Sequence, residues 1–98
     1  MNSLKNSRKI IDKTDKKMAK LFQKRMNAVK TVAKYKAENN IEIEDLSREA
    51  KIIDRNKSYI KNAELIPYYT EFLKKNIELS KQLQFEILNN KAGDKFEN

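Results

Sequence analysis

Cysteine and histidine are both missing from this chain of 98 residues, and the two absences together remove most side-chain catalysis. Without Cys there is no disulfide, no thiolate nucleophile and no sulfur-ligated metal. Without His there is no imidazole base and none of the usual zinc ligand sets. A single glycine, Gly93, and a single proline, Pro67, leave little turn chemistry for a many-stranded sheet. No apolar run approaches the length of a membrane span. The segment Met1–Lys9 carries charge but no apolar stretch of the kind a secretory signal needs, so a cytoplasmic location is expected. Chemistry therefore falls to Arg, Lys, Asp, Glu, Ser, Tyr or amide side chains.

What the chain has in abundance is charge. Charged residues make up 37% and hydrophobic residues 39%, the mixture of soluble amphipathic helices rather than of a disordered tail. The net charge of +8 and a pI near 9.7 invite a nucleic-acid reading. The excess is mostly Lys, spread from Lys5 to Lys95 with acids interspersed, and such a pattern is more often a solvated surface than a binding face. An all-α chain is expected, with one domain over residues 1–90 and a flexible tail over residues 91–98.

The first helix is predicted from Leu4 to Glu38, with Asn2 or Ser3 as its N-cap and Asn39-Asn40 as its exit. At 1.5 Å per residue such a helix is a rod of ~50 Å, whereas a compact globule of this chain length has a radius of gyration of only ~13 Å. One chain cannot cover that rod, so a symmetric dimer is expected. A loop follows over Asn39–Glu44. The second helix is predicted from Asp45 or Leu46 to about Asn62-Ala63, with Leu46, Ala50, Ile53 and Ile60 as its apolar positions and with Glu44, Asp45 and Glu49 against its positive end. Pro67 suits the first turn of a third helix carrying Ile66, Tyr69, Leu73, Ile77, Leu83, Ile87 and Leu88.

Polar residues stand where this pattern calls for hydrophobes. Leu4, Ile11, Met18, Arg25 and Val32 recur every seven residues, and a guanidinium on a buried face is costly unless an anion meets it. Arg25 and Lys36 are eleven residues apart, which leaves only ~20° of residual rotation and ~16 Å along the axis, so both face one way. Arg8 lies about 25 Å further along the same rod and cannot share a pocket with Lys36 of its own chain. If Arg8 acts, it acts in the site of a partner subunit. Asp45 and Glu49 share a face with Arg48 beside them, and Ser80 and Gln84 repeat that spacing on the third helix. Ser80 takes the heptad place of Ile66, Leu73 and Ile87 and should point inward. Such a set suits a small dianion that also bears a hydroxyl or ether oxygen.

Each residue also has a plainer explanation. Arg25 could pair with Asp15, Lys36 could snorkel or answer the helix dipole, Asp45 and Glu49 are ordinary first-turn acids, Ser80 could be a small packing residue and Gln84 could be exposed. Their joint occurrence outweighs these.

The ordered set Arg8, Arg25, Lys36, Asp45-x-x-Arg48-Glu49 and Ser80-x-x-x-Gln84 resembles the all-α class of chorismate mutases over roughly residues 4–90. The resemblance implies an intertwined homodimer of three-helix chains with two sites built from both subunits. It implies the rearrangement of chorismate to prephenate, in phenylalanine and tyrosine biosynthesis, without cofactor or metal. By position, Arg25 and the partner subunit's Arg8 would hold the substrate carboxylates, and Lys36 and Gln84 would donate to the ether oxygen. Glu49 and the Asp45 segment would receive the ring hydroxyl, Ser80 would assist a carboxylate, and Arg48 would support the site from its edge. Two other readings compete. An isochorismate-pyruvate lyase resembles the same fold, although the Asp45–Glu49 segment favours the mutase. A basic helical module for nucleic acid or protein would bind through exposed Lys and tolerate loss of Arg25.

Overall fold

The protein, seen here as a computed structural model, is described over residues 2–97, with side chains described through Asn90. Three helices account for nearly all of it: α1 (Ser3–Glu38), α2 (Leu46–Lys57) and α3 (Ile66–Glu97), with a 3₁₀ turn at Ala63–Leu65 leading into α3. No strand occurs among the described residues.

Local chemistry explains each boundary. The Asn2 side chain accepts from the Lys5 N–H at 3.1 Å and caps α1. At the other end Asn40 takes a positive φ of 54°, a conformation Asn tolerates better than most residues. The Ile41 N–H then reaches back to the Lys36 carbonyl at 2.9 Å, the six-to-one bond of a Schellman ending. That ending turns the chain so that residues 41–45 return over Lys36. Asp45 caps α2, its carboxylate accepting from the Arg48 N–H at 3.0 Å.

The second helix stops at Lys57, five residues before the expected Asn62. Ser58, Tyr59 and Ile60 donate three residues back, to Arg55, Asn56 and Lys57, and the Ser58 hydroxyl also bonds the Arg55 carbonyl at 2.5 Å. These short-range bonds use up the carbonyls that a further helical turn would need. Pro67 falls in the first turn of α3, as expected. The backbone of α3 continues to Glu97, across most of the stretch 91–98 for which a flexible tail is expected; the side chains of that stretch lie outside those described.

Both α1 and α2 pack on α3, and they do not pack on one another. The central helix buries Leu73, Ile77, Ser80 and Gln84, a stripe with helical spacing that is half polar. Helix α1 contributes only its second half, through Arg25, Met26, Val29, Ala33, Lys36 and Ala37; every residue from Ser3 to Lys24 is exposed. Helix α2 turns Glu49, Ile52 and Ile53 inward, while Leu46 and Ala50 are exposed. The apolar face expected for α2 is therefore rotated from the one observed, because Ile52 and Ile53 are adjacent and a helix of 12 residues offers few apolar positions to decide between faces.

The result is an extended plate, 64 × 29 × 15 Å, with a radius of gyration of 17.7 Å. A compact domain of this length would have about 13 Å. Along the uncovered half of α1, Leu4 is 58% exposed, Ile11 55% and Met18 45%. Each such side chain, already about half covered, forgoes about half of the ~1.5–3 kcal/mol that passing from full exposure to full burial brings.

Candidate active site

Where the three helices meet, a cavity of about 190 Å³ opens between α1, α2, α3 and the loop before α2. That is smaller than the ~300–1,000 Å³ of pockets for drug-sized ligands, and it suits a small metabolite. Val29, Val32, Ile43, Ile52 and Ile77 form its apolar walls. Seven of the eight expected site residues line it: Arg25, Lys36, Asp45, Arg48, Glu49, Ser80 and Gln84. Arg8 is the exception. It lies exposed near the start of α1, beside Leu4, Lys5 and Asp12, and the fold does not bring it to the cavity of its own chain.

The guanidinium of Arg25 donates through Nη1 to Ser80 Oγ. The Ser80 hydroxyl donates in turn to the Asn76 carbonyl, at 2.8 Å, which leaves its lone pairs to accept from Arg25. This chain of two bonds anchors one nitrogen of the guanidinium to α3. Asp15 is not its partner; it lines a separate groove with Met18, Phe22 and Phe72. Lys36 Nζ donates to the Ile43 carbonyl at 2.9 Å, and an ammonium has further donors to offer. The loop tie and the cavity wall are thus served by one side chain.

Among the described residues no carboxylate oxygen lies within 4.0 Å of the charged side-chain nitrogens of Arg25, Lys36 or Arg48. The cavity is lined by four cations, Arg25, Lys36, Arg48 and Lys81, and two carboxylates, Asp45 and Glu49. Two positive charges therefore remain uncompensated. Asp45 is largely committed to capping α2. Glu49 binds Lys81 Nζ through Oε1 at 3.1 Å, while its Oε2 is buried without a partner. Gln84 Oε1 is likewise buried without a partner. An orphaned buried polar atom costs about 1–3 kcal/mol, so two of them beside uncompensated cations mark a surface built for a bound ligand.

A match to the chorismate mutase type II family spans residues 7–85. The chain belongs to that family. No curated protein and no solved structure matched it. A chorismate mutase is an isomerase acting on chorismate in aromatic amino-acid biosynthesis, and a dianionic substrate of that kind meets the charge left open in the cavity. In this chorismate mutase no described helix is long and apolar enough to cross a membrane, and no cluster of metal-ligating side chains occurs among the described residues.

Sequence reasoning missed Lys81. The Glu49 hydrogen bond is the main cause that raises the Lys81 pKa above its ordinary value; desolvation opposes the shift, and the charges of Glu49 and Glu44 add to it. Its spacing from Ile77 and Gln84, four and three residues, was the available signal. The apolar wall residues Val29, Ile43 and Ile52 were missed as well. Ile43 belongs to a loop and has no periodicity to reveal it.

Proposed function

We propose that this chorismate mutase works as a homodimer with two shared sites. Arg25 and the partner subunit's Arg8 hold the two substrate carboxylates. Lys36 and Gln84 donate to the ether oxygen, and Glu49 receives the ring hydroxyl. Ser80 assists at the carboxylate end by fixing Arg25, while Asp45 and Arg48 shape the rim. The observation that carries this assignment is the pairing of uncompensated cations with two orphaned polar atoms, Glu49 Oε2 and Gln84 Oε1, in a single cavity. The Gln84 amide can rotate to exchange its oxygen and nitrogen ends, so the same buried position can present a donor.

The chemistry asks little else of the protein. The ether C–O bond breaks as a new C–C bond forms within one molecule, so atoms are conserved and no proton need be moved. Holding the reactive conformer and stabilising charge at the departing oxygen are sufficient. An acceleration of ~10⁶ corresponds to roughly 8 kcal/mol, and two or three preorganised donors at ~3–4 kcal/mol each supply it. Lys36 is anchored through Ile43, and Gln84 is 7% exposed; neither must reorganise far at the moment of reaction.

Dimerisation is supported by the exposed Leu4, Ile11 and Met18 and by the position of Arg8 at the far end of the same helix. We place the enzyme in the cytoplasm, binding a small dianion rather than nucleic acid or a membrane, since Arg25, Lys36 and Arg48 converge on one cavity.

A subunit-mixing experiment tests the assignment. Arg8→Ala and Arg25→Ala chains should each be inactive alone. Random mixing makes half of the dimers mixed, and each mixed dimer has one intact site, so about one quarter of wild-type activity should return. No recovery on mixing, or an active Arg8→Ala homodimer, refutes the shared site. Pyruvate release from isochorismate without prephenate formation would refute the assigned reaction.

A further inference from the structure

We propose that Lys81 is a positioning residue for the rearrangement: it holds one oxygen of Glu49 so that the other stays open to the substrate hydroxyl and away from the substrate-binding cations. The inference rests on the reading of Glu49 as the hydroxyl acceptor.

The geometry is specific. Lys81 Nζ lies 3.1 Å from Glu49 Oε1, with the two side chains 26% and 20% exposed. It also lies 3.5 Å from Glu44 Oε1. One ammonium on α3 thereby ties α2 and the loop before it to the central helix, at the edge of the cavity. A carboxylate turns about its last side-chain bond, and pinning one oxygen sets where the other sits. The other oxygen of Glu49 is the buried one without a partner.

The surroundings show why such a pin is needed. Glu49 shares the cavity with Arg25 and Lys36 from α1 and with Arg48 from its own helix, while Asp45 approaches from the loop. None of those three cations is paired with it. A free carboxylate among them would be drawn to Arg25 or Lys36 and would neutralise the charges that the substrate's carboxylates require. Lys81 occupies Glu49 with a cation of its own. The raised pKa of Lys81, caused first by the Glu49 hydrogen bond, agrees with that pairing.

The test reads kcat and KM separately for Lys81→Met, Lys81→Gln and Lys81→Arg, alone and combined with Glu49→Gln. Lys81→Met should lower kcat/KM by about 10–100-fold, chiefly through KM. Lys81→Gln, better tolerated at a half-exposed position, should behave alike, and Lys81→Arg should recover to within about threefold. In the Glu49→Gln background, loss of Lys81 should add little, because coupled residues are not additive. An unchanged KM in both neutral variants overturns the proposal, as does an equal loss with and without Glu49. If Glu49→Gln itself keeps wild-type kcat/KM, the hydroxyl-acceptor reading fails first and the role of Lys81 with it.

Discussion

Replacing Gln84 by Met should make the protein more stable and nearly inactive. Met has almost the length of Gln and no amide, so the substitution keeps the volume of a side chain that is 7% exposed and deletes the orphaned Oε1. The native side chain pays about 1–3 kcal/mol for that buried, unpartnered oxygen. Removing it should return ~1–2 kcal/mol, and at ~4–8 °C per kcal/mol for a domain of this size the melting temperature should rise by roughly 4–16 °C. The proposed dimer would make stability depend on protomer concentration, so the melts must be compared at one concentration, by the loss of helical circular dichroism. On the proposed assignment the same variant deprives the ether oxygen of one preorganised donor, and kcat should fall about 10²–10³-fold. The assay is the disappearance of chorismate. A Gln84→Met protein that melts below wild type, or that retains kcat within tenfold, refutes the assignment of Gln84 as a donor maintained at a cost to stability.

Other expectations follow from the same geometry. Gln84→Glu should shift the optimum to acid pH, because a carboxyl at that position donates only when protonated, whereas wild-type activity should be nearly level across neutral pH; an unmoved profile removes Gln84 from the ether oxygen. Ile11→Glu, at a 55% exposed position on α1, should shift the protein to monomers in sedimentation and reduce activity most at low protomer concentration; an intact dimer would show that this face is not the interface. The contribution of Lys81 to stability should have a definite pH range. Its folded pKa is raised, so that contribution is complete below the ordinary lysine value of ~10.4 and is lost as pH rises through the higher folded value. Denaturant midpoints of wild type and Lys81→Met should therefore differ by a constant amount from neutral pH to about 9 and converge only in stronger alkali. Convergence near neutrality would contradict the pairing.

The features legible in the sequence were those with a local cause. Asn2, Asn39-Asn40, Asp45 and Pro67 mark helix ends through chemistry that acts within a few residues. Arg25, Ser80 and Gln84 were visible because each interrupts a regular apolar spacing, and the structure places all three at the cavity. What stayed hidden depends on how one helix is set against another. The pairing of Lys81 with Glu49 joins residues 32 positions apart, and no spacing within either helix reveals it. The inward face of α2 was misjudged because Leu46, Ala50 and Ile53 fit a helical stripe as well as Glu49, Ile52 and Ile53 do. Only contact with α3 selects the second set.

The dependence of both other helices on α3 has a consequence for synthesis. A ribosome completes α1 and α2 by residue 57, but the surface that both dock on ends with Gln84. At ~5–20 residues per second the earlier helices wait roughly one to five seconds for their support, with Val29, Ala33 and Ile52 uncovered until then. Neither α1 nor α2 can therefore dock before α3 has been made, and the yield of folded protein should respond to chaperone supply.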